Sequence, residues 1–143
     1  MKIDDNSTTV HMKAHAMYMK IRTPIKCMCL NQFVHFNAKG FHHLIYDGTG
    51  RTRTIKEQNY KFSLIPLIVP VIMNSSEAVY RKSKEKENRK KDSKIKDIEY
   101  WGLTALVGKN KDKKVKVILR RVGNGRIIFW SVMKMNTSKN TKK

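Results

Sequence analysis

KVKVILRRVGNGRIIFWSVM, residues 114 to 133, reads as two strands and the turn between them. β-Branched and aromatic residues fill both halves. Asn124-Gly125 between two apolar runs is the strongest short-range hairpin signal in the chain. A two-residue turn pairs Gly123 with Arg126. It thereby sets Leu119 opposite Trp130, Arg120 opposite Phe129, Ile118 opposite Ser131 and Val117 opposite Val132. Side chains alternate between faces. One face then carries Val115, Val117, Leu119, Ile128, Trp130 and Val132, apolar apart from Arg121, and is expected to pack on helices. The other carries Lys116, Ile118, Arg120, Val122, Ile127, Phe129 and Ser131. Cations, a ring and a hydroxyl among aliphatics suit a sheet face that handles nucleic acid, with charge for phosphate and a ring for a base.

Working outward, DIEYWGLTALVG (97–108) is a further strand, joined by the short link KNKDK, so its neighbour should be antiparallel. Tyr100 is a candidate for the open face, although no turn sets its register. Trp101 and Trp130 are assigned to the core. NSSEAVYRK (74–82) reads as a turn and a short strand. Asn37 is a good N-cap for a helix over Lys39 to Tyr46, with Phe41, Leu44 and Ile45 as its apolar stripe. His42 falls at the flank of that stripe and His43 roughly opposite it. The Gly-rich YDGTGRTR loop (46–53) follows, and Thr54 and Glu57 stand at capping-box spacing, so a second helix should start near Ile55. Pro66 should end or kink it. NQFVHFN (31–37) reads as a short strand with Phe33 and His35 on one face and Val34 and Phe36 on the other.

These elements give an α+β fold: N-terminal helices followed by an antiparallel four-stranded β-meander. Residues 1–32 read as a lead-in of helical composition, and 33–133 as a single domain. Residues 81–96 read as an exposed charged connector, and 134–143 as a basic disordered tail.

The 143 residues carry 31 Lys plus Arg against 11 Asp plus Glu, a formal charge of +20. So large an imbalance draws polyanions, of which nucleic acid is the usual one. The apolar run from Phe62 to Met73 is broken by Pro66 and Pro70 and reads as core rather than a membrane span. The two cysteines, Cys27 and Cys29, are badly spaced for a disulfide. With His35, His42 and His43 they form only a weak candidate zinc set, and a reduced cytoplasmic setting is the simpler inference. No metal, cofactor or membrane partner is expected.

Metal-free RNA cleavage needs little from a protein, because the 2′-hydroxyl already stands beside the phosphorus. What remains is a base, an acid and cations on the phosphorane. Histidine suits proton transfer near neutrality, and arginine fits phosphate oxygens with its planar fork. His43, Arg51 or Arg53, Arg120 and Ser131 would supply such a set if the helix packs beside the open sheet face. Metal-dependent nucleases need clustered carboxylates, which are scarce here.

The succession KGFHHLIYDG, TIKEQNYKF, SEAVYRK, DIEYWGLTALV, KVKVILRRV and RIIFWSVM resembles the superfamily of barnase, EndoU, the colicin ribonucleases and RelE, closest to its phage- and mobile-element-associated branches. The resemblance spans residues 33 to 133. It implies a metal-independent endoribonuclease, in many members a toxin, with its site on the open sheet face. Carried onto this chain, it implies catalytic roles for His43 or His42, Arg51, Arg120 and Ser131. Arg53, Lys116, Phe129, Tyr100 and Lys39 are then expected to bind RNA, and an acidic antitoxin or immunity protein is an expected partner. The alternatives are a non-catalytic RNA- or DNA-binding protein and a charge-neutralising structural protein of a phage or ribonucleoprotein particle.

Overall fold

The computed structural model describes residues 2–86 and 94–136, with side chains from residue 9 onward. In chain order the elements are α1 (Lys2–Met19), β1 (Ile25–Cys27), β2 (Gln32–His35), α2 (Ala38–Ile45), α3 (Ile55–Ser63) and α4 (Ile65–Asn74). They are followed by β3 (Ala78–Lys86), β4 (Ile95–Val107), β5 (Lys113–Val122) and β6 (Ile127–Lys134). The six strands form one sheet in the order β1-β2-β6-β5-β4-β3. The antiparallel meander β3 to β6 is therefore present, but it is two-thirds of the sheet. β1 and β2 extend it before the central helices, and β2 runs parallel to β6 through Val34–Ile127 and His35–Ile128.

Local signals placed the starts of α2 and α3, whereas α4 was not expected as a helix of its own. Asn37 Oδ1 accepts from the Lys39 and Gly40 amides at 3.1 and 3.3 Å. Thr54 and Glu57 close a reciprocal capping box at 3.1 and 2.9 Å. Pro66 does not simply stop the second helix. α3 ends at Ser63, and Pro66 opens α4, where its missing N–H costs nothing in the first turn. Ile65, Ile68, Val71 and Ile72 of α4 are buried in the core beneath β4 and β5.

The span read as a lead-in contributes to the same core. Ala14 and Tyr18 of α1 and Cys27 of β1 are buried, and Tyr18 Oη donates to the Asn37 carbonyl at 2.7 Å, tying α1 to the start of α2. The charged stretch is likewise shorter than the assigned connector. Residues 81–86 and 95–96 pair within the β3–β4 ladder, and Lys82 and Lys84 reach Asp97 across it at 3.6 and 3.0 Å. Residues 87–93 lie outside the described residues. Of the assigned tail, Lys134 ends β6, and 137–143 lie outside the described residues.

The main correction is in the register that opened the analysis. The loop holds three residues, Gly123 to Gly125, with Gly123 at φ 55° and the Gly125 amide on the Val122 carbonyl at 2.9 Å. Near the loop the partners are therefore Leu119–Phe129 and Arg120–Ile128. A β-bulge at Trp130 restores the expected pairs Ile118–Ser131 and Val117–Val132. Ile127 and Phe129 thus turn into the core, while Ile128 and Trp130 turn out. Phe129, expected to bind RNA, is 0% exposed. Its ring stacks on Phe36 with centroids 5.5 Å apart and lies 6.2 Å from Tyr18. A buried indole would need an acceptor for its N–H, which phenylalanine does not, so this exchange is the cheaper packing.

Beyond the short β2 pairing, α2 runs along the free edge of β6. A Cβ at Gly40 would stand 2.5 Å from Tyr18 Oη, 2.8 Å from Phe129 Cδ2 and 2.9 Å from the Phe129 carbonyl oxygen. Alanine gains about 1 kcal/mol of helix propensity there, but overpacking against backbone and a buried ring costs about 1–3 kcal/mol or more. Gly40→Ala should therefore lower the urea midpoint with an unchanged slope. A midpoint at or above that of the natural protein would contradict this packing.

Candidate functional site

Opposite the helices, the face of β3 to β6 is open. Alternation along the four strands brings Arg81, Tyr100, Lys116 and Ser131 to it, and the bulge adds Trp130. Because α2 replaces a strand beside β6, His43 reaches the rim of the same face. Together these residues line a groove of about 450 Å³ whose lining includes no carboxylate among the described residues.

His43 lies with its ring 4.5 Å from that of Trp130, at an interplanar angle of 27°. Burial, then the Arg53 and Lys61 charges, push its pKa down to about 4. The imidazole is therefore neutral at pH 7, an acceptor rather than a proton donor. Its Nδ1 is buried with no close hydrogen-bond partner among the described residues, while the Trp130 backbone beside the ring works against the downward shift. Lys61, buried beneath, donates to the Val132 carbonyl at 2.6 Å, and burial lowers its pKa to about 8.

Trp130 organises the centre. The Arg120 guanidinium lies over its indole at 4.2 Å, and Arg120 Nε donates to Tyr100 Oη at 3.3 Å. Arg81 covers the Tyr100 ring at 4.4 Å. Tyr100 thus accepts from an arginine and keeps its own hydroxyl proton for another acceptor.

Four sequence candidates therefore converge on the groove: His43, Tyr100, Lys116 and Ser131. Arg120 stands behind them and lines an adjoining groove, as does Lys39. The others are elsewhere. His42 is exposed and stacks on Tyr46 at 4.3 Å. Arg53 directs Nε and Nη2 to the His43 carbonyl at 3.3 and 3.2 Å, so it ties the loop to the end of α2. Arg51 belongs to a self-contained loop. There Asp47 Oδ1 accepts from the Thr49 amide, the Thr49 hydroxyl and the Arg51 amide, which holds its carboxyl at about 2. The Gly-rich stretch is built by these bonds and does not line the groove.

Two groove residues escaped the sequence reading. Arg81 was hidden in a charge run, and it shares its face of β3 with Val79, which lines the same groove. Trp130 had no local signal, because only the bulge turns it outward.

Among the described residues no three of His, Cys, Asp and Glu stand together as metal ligands, and no helix is long and apolar enough to cross a membrane. Cys27 and Cys29 are free, their sulfurs 3.7 Å apart, and burial pushes the Cys27 thiol up to about 11. No family model matches this chain, and neither a curated protein nor a solved structure matches it.

Proposed function

We propose that the open face binds single-stranded RNA and cleaves it without a metal. The observation that carries this is a neutral histidine set against Trp130 in a carboxylate-free groove that also holds two cations and two hydroxyls. His43 Nε2 takes the proton of the 2′-hydroxyl, and the freed oxygen attacks the adjacent phosphorus. As the bond from phosphorus to the 5′-oxygen breaks, Tyr100 gives that oxygen its proton, and the Arg120 guanidinium on Oη steadies the phenolate. Lys116 and Arg81 neutralise the phosphorane oxygens, and Ser131 donates a hydrogen bond to one of them. The products are a 2′,3′-cyclic phosphate and a free 5′-hydroxyl. This is the chemistry implied by the resemblance to the barnase, colicin and RelE ribonucleases. In a toxin of that kind, an acidic neutralising protein would cover the same basic face.

A binding-only function is the second reading, and one observation favours it. For Nε2 to act as base, the imidazole proton must sit on Nδ1, which is buried and makes no close hydrogen bond among the described residues.

The pH dependence separates the two. The plot of kcat/KM reports the free enzyme. Protonated His43 is inactive as a base, so activity should rise through about pH 4 and stay high to neutrality. An acid limb near the ordinary histidine value of about 6.5, or one that persists in a His43 variant, would remove His43 from the role of base.

A further inference from the structure

Arg120 is 6% exposed, and none of the ion pairs among the described residues involves it. A desolvated guanidinium is costly without a counter-charge, and stacking on Trp130 repays only part of that cost. It also lines a second groove, of about 380 Å³, at the loop end of β5 and β6. His35, Lys39, Lys96 and Arg126 line the same groove, and among the described residues no carboxylate does. Beside it, Phe33 shares the open face of β2 with His35 and is 53% exposed. Ile118 of the first groove and Arg120 of the second are two residues apart on β5, so the two grooves adjoin along the strand.

We infer that this second groove is an anion site that takes a phosphate of the same RNA strand, one or more nucleotides away from the phosphate in the His43 groove. Arg120 stands at the junction, with Tyr100 and Trp130 on one side and the second phosphate on the other. Phe33 offers its ring to a base next to that phosphate. The inference rests on the RNA reading of the first groove. It adds that the ligand is an extended strand of several nucleotides, which a duplex end or a lone nucleotide cannot imitate.

Burial and the Arg126 charge lower the His35 pKa in the free protein, and the other charged residues that line its groove among the described residues, Lys39, Lys96 and Arg120, are cations too. A phosphate seated among them reverses that field, so His35 reports occupancy directly. The test follows the His35 imidazole by NMR during titration with inorganic pyrophosphate. It also compares binding of a uridine hexanucleotide and a dinucleotide to the natural protein and to Arg126→Ala, a change at an exposed loop position. Pyrophosphate should raise the His35 pKa. Arg126→Ala should weaken the hexanucleotide at least about tenfold and lower its salt slope by about 1, with little effect on the dinucleotide. An unmoved His35, or equal hexanucleotide affinity in both proteins, would overturn the second site even if RNA is cut. Length-dependent binding without any cleavage would keep the site and refute the cleavage reading. Preference for the deoxyribose hexamer would overturn the assignment to RNA.

Discussion

Replacing His43 by alanine should lower RNA cleavage by about 10²- to 10⁴-fold, the usual contribution of a positioned acid or base. Binding should hardly change. The imidazole is neutral at pH 7, so its removal takes no cation from the phosphate contacts and leaves the salt slope as it was. Lys116→Ala should behave in the opposite manner, weakening binding and lowering the slope by about 1. Alanine also opens space beside Trp130. His43→Gln keeps a polar side chain there and should lose activity to the same extent, which separates lost chemistry from lost packing. Cleavage within a few-fold of the natural protein in both variants would show that another group takes the proton.

The second large effect concerns stability and follows from the bulge. Phe129→Ala should cost about 3–5 kcal/mol, because it removes a fully buried ring between Phe36, Tyr18 and the backbone of α2. Trp130→Ala should cost about 1–2 kcal/mol, since that side chain is half-buried. Its larger consequence should be functional, because His43 and Arg120 both lean on the indole. A uniform two-residue-turn register predicts the reverse order, with Trp130 in the core and Phe129 in contact with ligand. Paired urea titrations decide between them. A larger loss for Trp130→Ala would contradict the bulge.

Much of the architecture was legible because it is written locally. Asn37 caps α2, and the Thr54–Glu57 box starts α3 within one residue of the expected place. Alternation in 97–133 gave the meander and its open face. What could not be read was set by distant contacts. No local feature tells Gly123-Asn124-Gly125 from a two-residue turn. The choice is made by the space that Tyr18, Phe36 and Gly40 leave for Phe129, 89 to 111 residues earlier in the chain. The parallel pairing of β2 with β6 joins segments some 90 residues apart and leaves no periodic trace.

The candidate site followed the same division. Lys116, Tyr100 and Ser131 sit where strand alternation puts them, and His43 opposite its helix stripe. Arg51 and Arg53 looked like phosphate ligands because they are arginines in a glycine-rich loop of a basic protein. Their surroundings belong to that loop: Asp47 receives the Arg51 amide, and the His43 carbonyl receives the Arg53 guanidinium. Charge alone could not say which cations face the groove, but strand register does.

The central claim is that this face cuts RNA through its own 2′-hydroxyl. The most direct test incubates the purified protein, in excess EDTA, with an RNA oligonucleotide and with the same sequence built on deoxyribose. The expected result is cleavage of the RNA alone, leaving 2′,3′-cyclic phosphate ends, while the deoxy strand competes for binding and stays intact. Binding of both strands with cleavage of neither would contradict the claim and make the groove a binding surface. Cleavage of both would contradict attack by the 2′-oxygen.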